Sequence, residues 1–167
     1  MRRKYLNQKA SNLNEEAIGK IILDSAFKVH STLGPGLLES VNEAALAWEL
    51  SKRGLTVERQ KPISVSYDGH LLDVAFRADL ILNHLVLVEL KSVETITPLF
   101  KKTTTNYLKL IPLRLGFVIN FNETLLKNGI TRVTHGLEGK EFFSRRPDVP
   151  KIDLQNPSPS SRASRDI

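Results

Sequence analysis

Apolar positions recur at helical spacing through the first third of the chain and then switch to alternation. Ile18, Ile21, Ile22, Ala26, Val29 and Leu33 repeat every three or four residues, which predicts an amphipathic helix. Asn14 stands where a cap belongs, and Glu15 and Glu16 complement the dipole in the first turn. Gly34, Pro35 and Gly36 end that helix. They would also suit a phosphate cradle, but a plain helix–helix turn is the simpler reading. A second helix is expected over about 38–53, with Leu38, Val41, Ala45 and Trp48 as its inward stripe and Gly54 as its stop. On that stripe Trp48 belongs to the core.

From Thr56 the period becomes two. Strands are expected at 56–61 and 63–67, separated near Pro62, with Asp68 and Gly69 forming a tight turn. The segment 70–76 runs on into a strand that carries Asp79. A polar turn at Asn83 and His84 then leads to a strand at 85–91. A helix over 95–110 has Pro98 suited to its first turn and a weakening threonine run at 103–105; Leu99, Tyr107, Leu108 and Ile111 supply its core face. A buried strand follows at 115–121, a turn at Asn128 and Gly129, and an edge strand at 130–134. The helix at 95–110 allows strands 85–91 and 115–121 to lie parallel. The order implies an α/β (α+β) fold, a central mixed sheet flanked by helices.

The chain has 167 residues, enough for one domain with a substantial core. No apolar run approaches the roughly 18 residues of a membrane span, and no apolar stretch follows the basic N-terminus, so no signal peptide is expected. Cysteine is absent, which excludes disulfides and thiolate metal sites and fits a cytoplasmic location. The net charge of +6 sits in the tails. Residues 1–10 hold four Lys/Arg and no acid, and 144–167 hold five against three acids, leaving the body neutral. Net charge alone therefore does not argue for a nucleic-acid partner. Residues 1–12 read as a basic extension, 13–143 as the domain, and 144–167, rich in Pro, Ser and Arg, as a disordered tail.

The candidate chemistry lies in the hairpin from Arg77 to Ser92. Alternation places Glu89 and Lys91 on one face of their strand and Val86, Val88 and Leu90 on the other, with Asp79 on the partner strand. Buried charges in an apolar hairpin are costly unless paired or used. Two carboxylates can hold a divalent cation, and a lysine beside them can orient water or steady developing negative charge. The plain alternative is a set of cross-strand ion pairs on a partly exposed face. Lys101 and Lys102 could meet phosphates or simply be solvated. Arg77 could pair with an acid or a phosphate. His84 reads as a solvated turn residue, and none of the four histidines has metal-ligand spacing.

The arrangement Asp79, Glu89, Leu90, Lys91 resembles the PD-(D/E)xK nuclease-like superfamily. The stretch from Gly36 through Glu39 to Asn42 is similar to the signature of the GxxExxY protein family, and the segments at 33–39, 49–55 and 115–121 fit that family too. The resemblance covers about residues 13–136. It implies a restriction-endonuclease-like core in which Asp79 and Glu89 ligate Mg²⁺, Glu39 reaches the same cleft as a further ligand, and Lys91 positions the attacking water. It further implies a nuclease-like hydrolase acting on phosphodiesters of DNA or RNA. Two positions depart from the pattern. The family's tyrosine falls at Asn42, and a helix glutamine frequent in nuclease-like members is replaced by Thr103. Both motivate an alternative, a nuclease-fold module that binds nucleic acid or a protein partner without turnover. The chain leaves little room for a separate DNA-reading domain, which points to a homo-oligomer or a protein partner for target selection.

Overall fold

The computed structural model describes residues 13–136. The basic extension at 1–12, the expected domain end at 137–143 and the tail at 144–167 lie outside the described residues. Among the described residues, three helices and a five-stranded sheet follow in the order α1 (Glu15–Leu33), α2 (Glu39–Lys52), β1 (Val57–Tyr67), β2 (His70–Leu82), β3 (Val86–Lys91), α3 (Pro98–Leu110), β4 (Leu115–Asn120), a 3₁₀ turn (Leu126–Gly129) and β5 (Ile130–Thr134). The sheet order is β1-β2-β3-β4-β5. Only β3 and β4 pair in parallel, across α3 as the pattern predicted; the other neighbours are antiparallel. The architecture is α+β, consistent with a restriction-endonuclease-like fold. Among the described residues no helix is long and apolar enough to cross a membrane.

Local chemistry explains the element ends. The Asn14 side chain accepts the Ala17 amide at 2.9 Å, satisfying one of the free donors at the start of α1. At the other end Gly34 adopts φ 74° and its N–H bonds the His30 carbonyl at 2.8 Å. Both hairpin turns use left-handed pairs: Asp68 and Gly69 at φ 51° and 75°, Asn83 and His84 at 49° and 57°. The Asn83 side chain adds a bond from the Thr56 amide at 2.7 Å.

The sheet separates two apolar layers. One joins Ile18, Ile22, Ala26 and Val29 of α1 and Leu46 and Leu50 of α2 to Val86, Val88 and Leu90 of β3. The other joins Leu108 of α3 to Ile81, Leu87 and Val118. Each fully buried Leu or Ile here is worth about 1.5–3 kcal/mol relative to exposure. All six residues of β4 are buried, as a parallel strand covered on both faces requires.

Three expectations are corrected. The stripe Leu38, Val41 and Trp48 faces outward, with Trp48 67% exposed. The inner face of α2 is instead Asn42, Glu43, Leu46, Ala47, Glu49 and Leu50. It contains acids because Glu49 is held by Lys28, Lys52 and Arg53, and Glu43 by Arg59. Leu99 is exposed, and α3 buries Thr104 and Leu108. Finally, 56–61 and 63–67 form one strand running through Pro62; β1 is an edge strand, where a missing donor is tolerated.

Candidate active site

The site forms where β2 parts from β3. Their rungs run from Leu82 with Val86 to Leu80 with Val88. At the next position the side chain of Asp79 takes over, its Oδ2 accepting the Leu90 amide at 2.8 Å. The Glu89 carboxylate lies near the Asp79 backbone. Asp79 is thus tied to β3 by a main-chain hydrogen bond at the end of a ladder.

Glu39 joins from the first turn of α2, its carboxylate near the Ser92 backbone. Lys91 completes the group. Its Nζ lies 3.8 Å from Glu39 Oε1, 3.8 Å from Asp79 Oδ2 and 3.8 Å from Glu89 Oε2. It also donates to the Leu90 carbonyl and stands 5.7 Å from the centre of the Phe100 ring. All four residues named from the sequence therefore meet. The Glu39 side chain is 43% exposed, whereas that of Glu89 is 9% exposed, so the group opens to solvent on the helix side and is closed beneath.

Burial and the neighbouring Asp79 charge push the Glu89 carboxyl up to about 8, against the partial relief from Lys91. The Glu39 carboxyl is raised by partial burial, against the lowering pull of Lys91, with Asp79 adding to the rise. Glu89 Oε1 is buried with no hydrogen-bond partner. An all-oxygen donor set with an orphaned carboxylate oxygen suits a hard divalent cation. The carboxylates are nonetheless spread around the ammonium, and among the described residues no group of three or more His, Asp or Glu side chains stands ready to hold a metal ion.

Several contributors were not legible in the sequence. Glu43, one turn after Glu39, is buried and accepts from Arg59 Nε at 2.8 Å and Gln60 Nε2 at 2.6 Å. Its spacing from Glu39 was the available signal. Gln60 also donates to Asp79 Oδ1 at 3.1 Å, and nothing in its sequence context marked it. Tyr107, expected only as core, stacks on Phe76 at 3.6 Å. Burial raises its hydroxyl pKa, with Glu89 and Asp79 adding to the rise. At the two departures, Asn42 is buried, donates to Ser92 Oγ at 3.2 Å and leaves its Oδ1 without a hydrogen-bond partner, and Thr103 lies half-buried on α3. His84 is exposed as expected but pairs with Glu58 at 2.6 Å. A separate cavity of about 530 Å³, lined by Phe27, His30, Pro35 and Leu125 among others, shares no residue with the cluster.

The profile of the PD-(D/E)XK nuclease superfamily matches residues 16–133, and the chain belongs to that superfamily. The match spans every element from α1 to β5 and contains all four clustered side chains. No curated protein and no solved structure gives a significant match. The superfamily carries nuclease-like function, typically with divalent metal ions.

Proposed function

We propose that the protein is a Mg²⁺-dependent nuclease hydrolysing phosphodiester bonds of DNA or RNA, with Asp79, Glu89 and Glu39 as metal ligands and Lys91 as the catalytic cation. The observation that carries this is the convergence of three carboxylates from α2, β2 and β3 on one ammonium, with a buried carboxylate oxygen left unpartnered. When bound, the metal would lower the pKa of a coordinated water and offset charge on the scissile phosphate. Asp79 is held by Leu90 and Gln60, so its oxygens are oriented before any ligand arrives. Lys91, held among the three acids, would orient the water or steady the extra negative charge. On this reading the domain spans 13–143, as in a member of the GxxExxY family.

The test is cleavage of single- and double-stranded DNA and RNA with Mg²⁺ or Mn²⁺. Wild type should cleave at least one substrate and Lys91→Ala should not. Equal background rates for both proteins on all four substrates would end the catalytic claim.

A second reading, a nuclease-fold module that binds without turnover, draws support from the ammonium already filling the centre of the acids. Calorimetry separates the two. Mn²⁺ binding that disappears in Asp79→Ala favours the nuclease. Affinity for nucleic acid or a protein partner with no cation binding favours the module.

A further inference from the structure

Gln60 is in a backbone state that its side chain does not favour. It lies inside β1 at φ 47°, in the left-handed region that non-glycine residues rarely adopt. Its neighbours keep register, Arg59 with Leu80 and Lys61 with Ala78, so Gln60 stands opposite Asp79 yet forms no rung with it. A glycine would adopt this backbone freely. The strain is kept where the structure around it over-determines the conformation, and such outliers cluster at functional sites.

The side chain shows what the conformation achieves. One amide nitrogen, Gln60 Nε2, donates to both Asp79 Oδ1 and Glu43 Oε2. The other oxygen of Glu43 accepts from Arg59, and the other oxygen of Asp79 accepts the Leu90 amide. A continuous hydrogen-bonded chain therefore runs from Arg59 through Glu43, Gln60 and Asp79 to the backbone of β3. Both oxygens of Asp79 are engaged, and its carboxylate plane cannot turn without breaking a bond at one end. Glu43 is 6% exposed and lies on the helix that also carries Glu39. Gln60 thus couples the acid supplied by α2 to the acid supplied by β2.

We infer that Gln60 is a positioning residue: with Glu43 as its anchor, it sets the orientation of the Asp79 carboxylate for cation binding. The cation part presupposes the site proposed above; the orientation part does not. Two variants separate side chain from backbone. Gln60→Gly relieves the left-handed backbone and deletes the amide. Gln60→Asn tolerates the same backbone but is one methylene shorter and falls short of one acceptor.

The experiment measures amide hydrogen exchange at Leu90, Mn²⁺ affinity by calorimetry, and the melting temperature, in wild type and both variants. Leu90 exchange should speed up about tenfold in both, because its acceptor is no longer held. Mn²⁺ affinity should fall about tenfold, the scale of losing a residue that orients a metal ligand. The melting temperature of Gln60→Gly should stay within a few degrees of wild type. Unchanged Leu90 exchange together with unchanged Mn²⁺ affinity overturns the inference while leaving the nuclease reading intact. If wild type binds no Mn²⁺, the nuclease reading fails, and Leu90 exchange alone decides whether Gln60 positions Asp79. A loss of Leu90 protection accompanied by a matching loss across all of β3 would show general loosening and also overturn it.

Discussion

The Lys91 ammonium lies 3.8 Å from Glu89 Oε2, the same distance at which it meets Asp79 and Glu39. One lysine thus offsets part of the repulsion among three acids at the end of a buried strand. It stands at the centre of the group that the proposed reading assigns to a divalent cation. The same side chain is a stabilising counter-ion before metal binds and, on the proposed reading, a catalytic cation afterwards.

Removing that charge should therefore affect more than catalysis. Lys91→Ala leaves the acids without a counter-ion, a situation that costs about 3–5 kcal/mol in the extreme of full burial. With Glu39 partly solvated and Glu89 already largely protonated, about 1–2 kcal/mol is expected at neutral pH. Denaturant midpoints without metal should show the loss, and saturating Mn²⁺ should restore part of it. A Lys91→Ala protein more stable than wild type without metal would contradict the counter-ion role.

Cation binding should release a proton. Glu89, raised to about 8, is largely protonated at pH 7 and must ionise to act as a ligand. Mn²⁺ affinity should climb between pH 6 and 8, by up to about tenfold per unit, and level off above. Calorimetry in buffers of different ionisation enthalpy would measure the proton directly. Affinity flat across that range would contradict the assignment of Glu89.

The same group shapes stability in the opposite sense. Its folded pKa lies above the ordinary 4.5, so its contribution is fully present below pH 4.5 and is lost as pH rises to about 8. Glu89→Gln cannot ionise. Without metal it should be more stable than wild type at pH 8, by at most about 4 kcal/mol, and the two should converge below pH 4.5. Thermal melts at the two pH values would check this.

Glu49 should act as the acid-side counterpart. Lys52, Lys28 and Arg53 hold its carboxyl down at about 2, against a smaller opposing effect of burial. Its stabilisation is present above pH 4.5 and is lost as pH falls toward 2. The cations lie near the surface, so Glu49→Gln should cost only about 1 kcal/mol at pH 7 in low salt, less in high salt and almost nothing near pH 2. Urea midpoints across pH and salt would test it.

Trp48 gives a direct check on the face of α2. It is the single tryptophan of the chain and is 67% exposed. Its emission should be that of a solvated indole, readily quenched by acrylamide, and Trp48→Ala should change stability by less than about 0.5 kcal/mol. A blue-shifted, protected emission would mean that this face is covered.

The sequence alone determined what depends on neighbours along the chain. The Asn14 cap, the two left-handed turns, the α1 core stripe and the separation of Glu89 and Lys91 from Val88 and Leu90 all follow from short-range spacing, because backbone periods are local. So did the acid and lysine positions by which the chain resembles its superfamily. Tertiary structure decided what depends on partners far apart in sequence. Trp48 and Val41 had the spacing of a core face, yet α2 turned Glu43 and Glu49 inward because Arg59 and Lys28, on other elements, were there to meet them. The roles of Gln60 and Tyr107, and the place of Lys91 among three carboxylates, arise only when α2, β1, β2, β3 and α3 pack together. Apolar alternation shows which way a side chain points along its own element; charge compensation is set by what the fold brings opposite it.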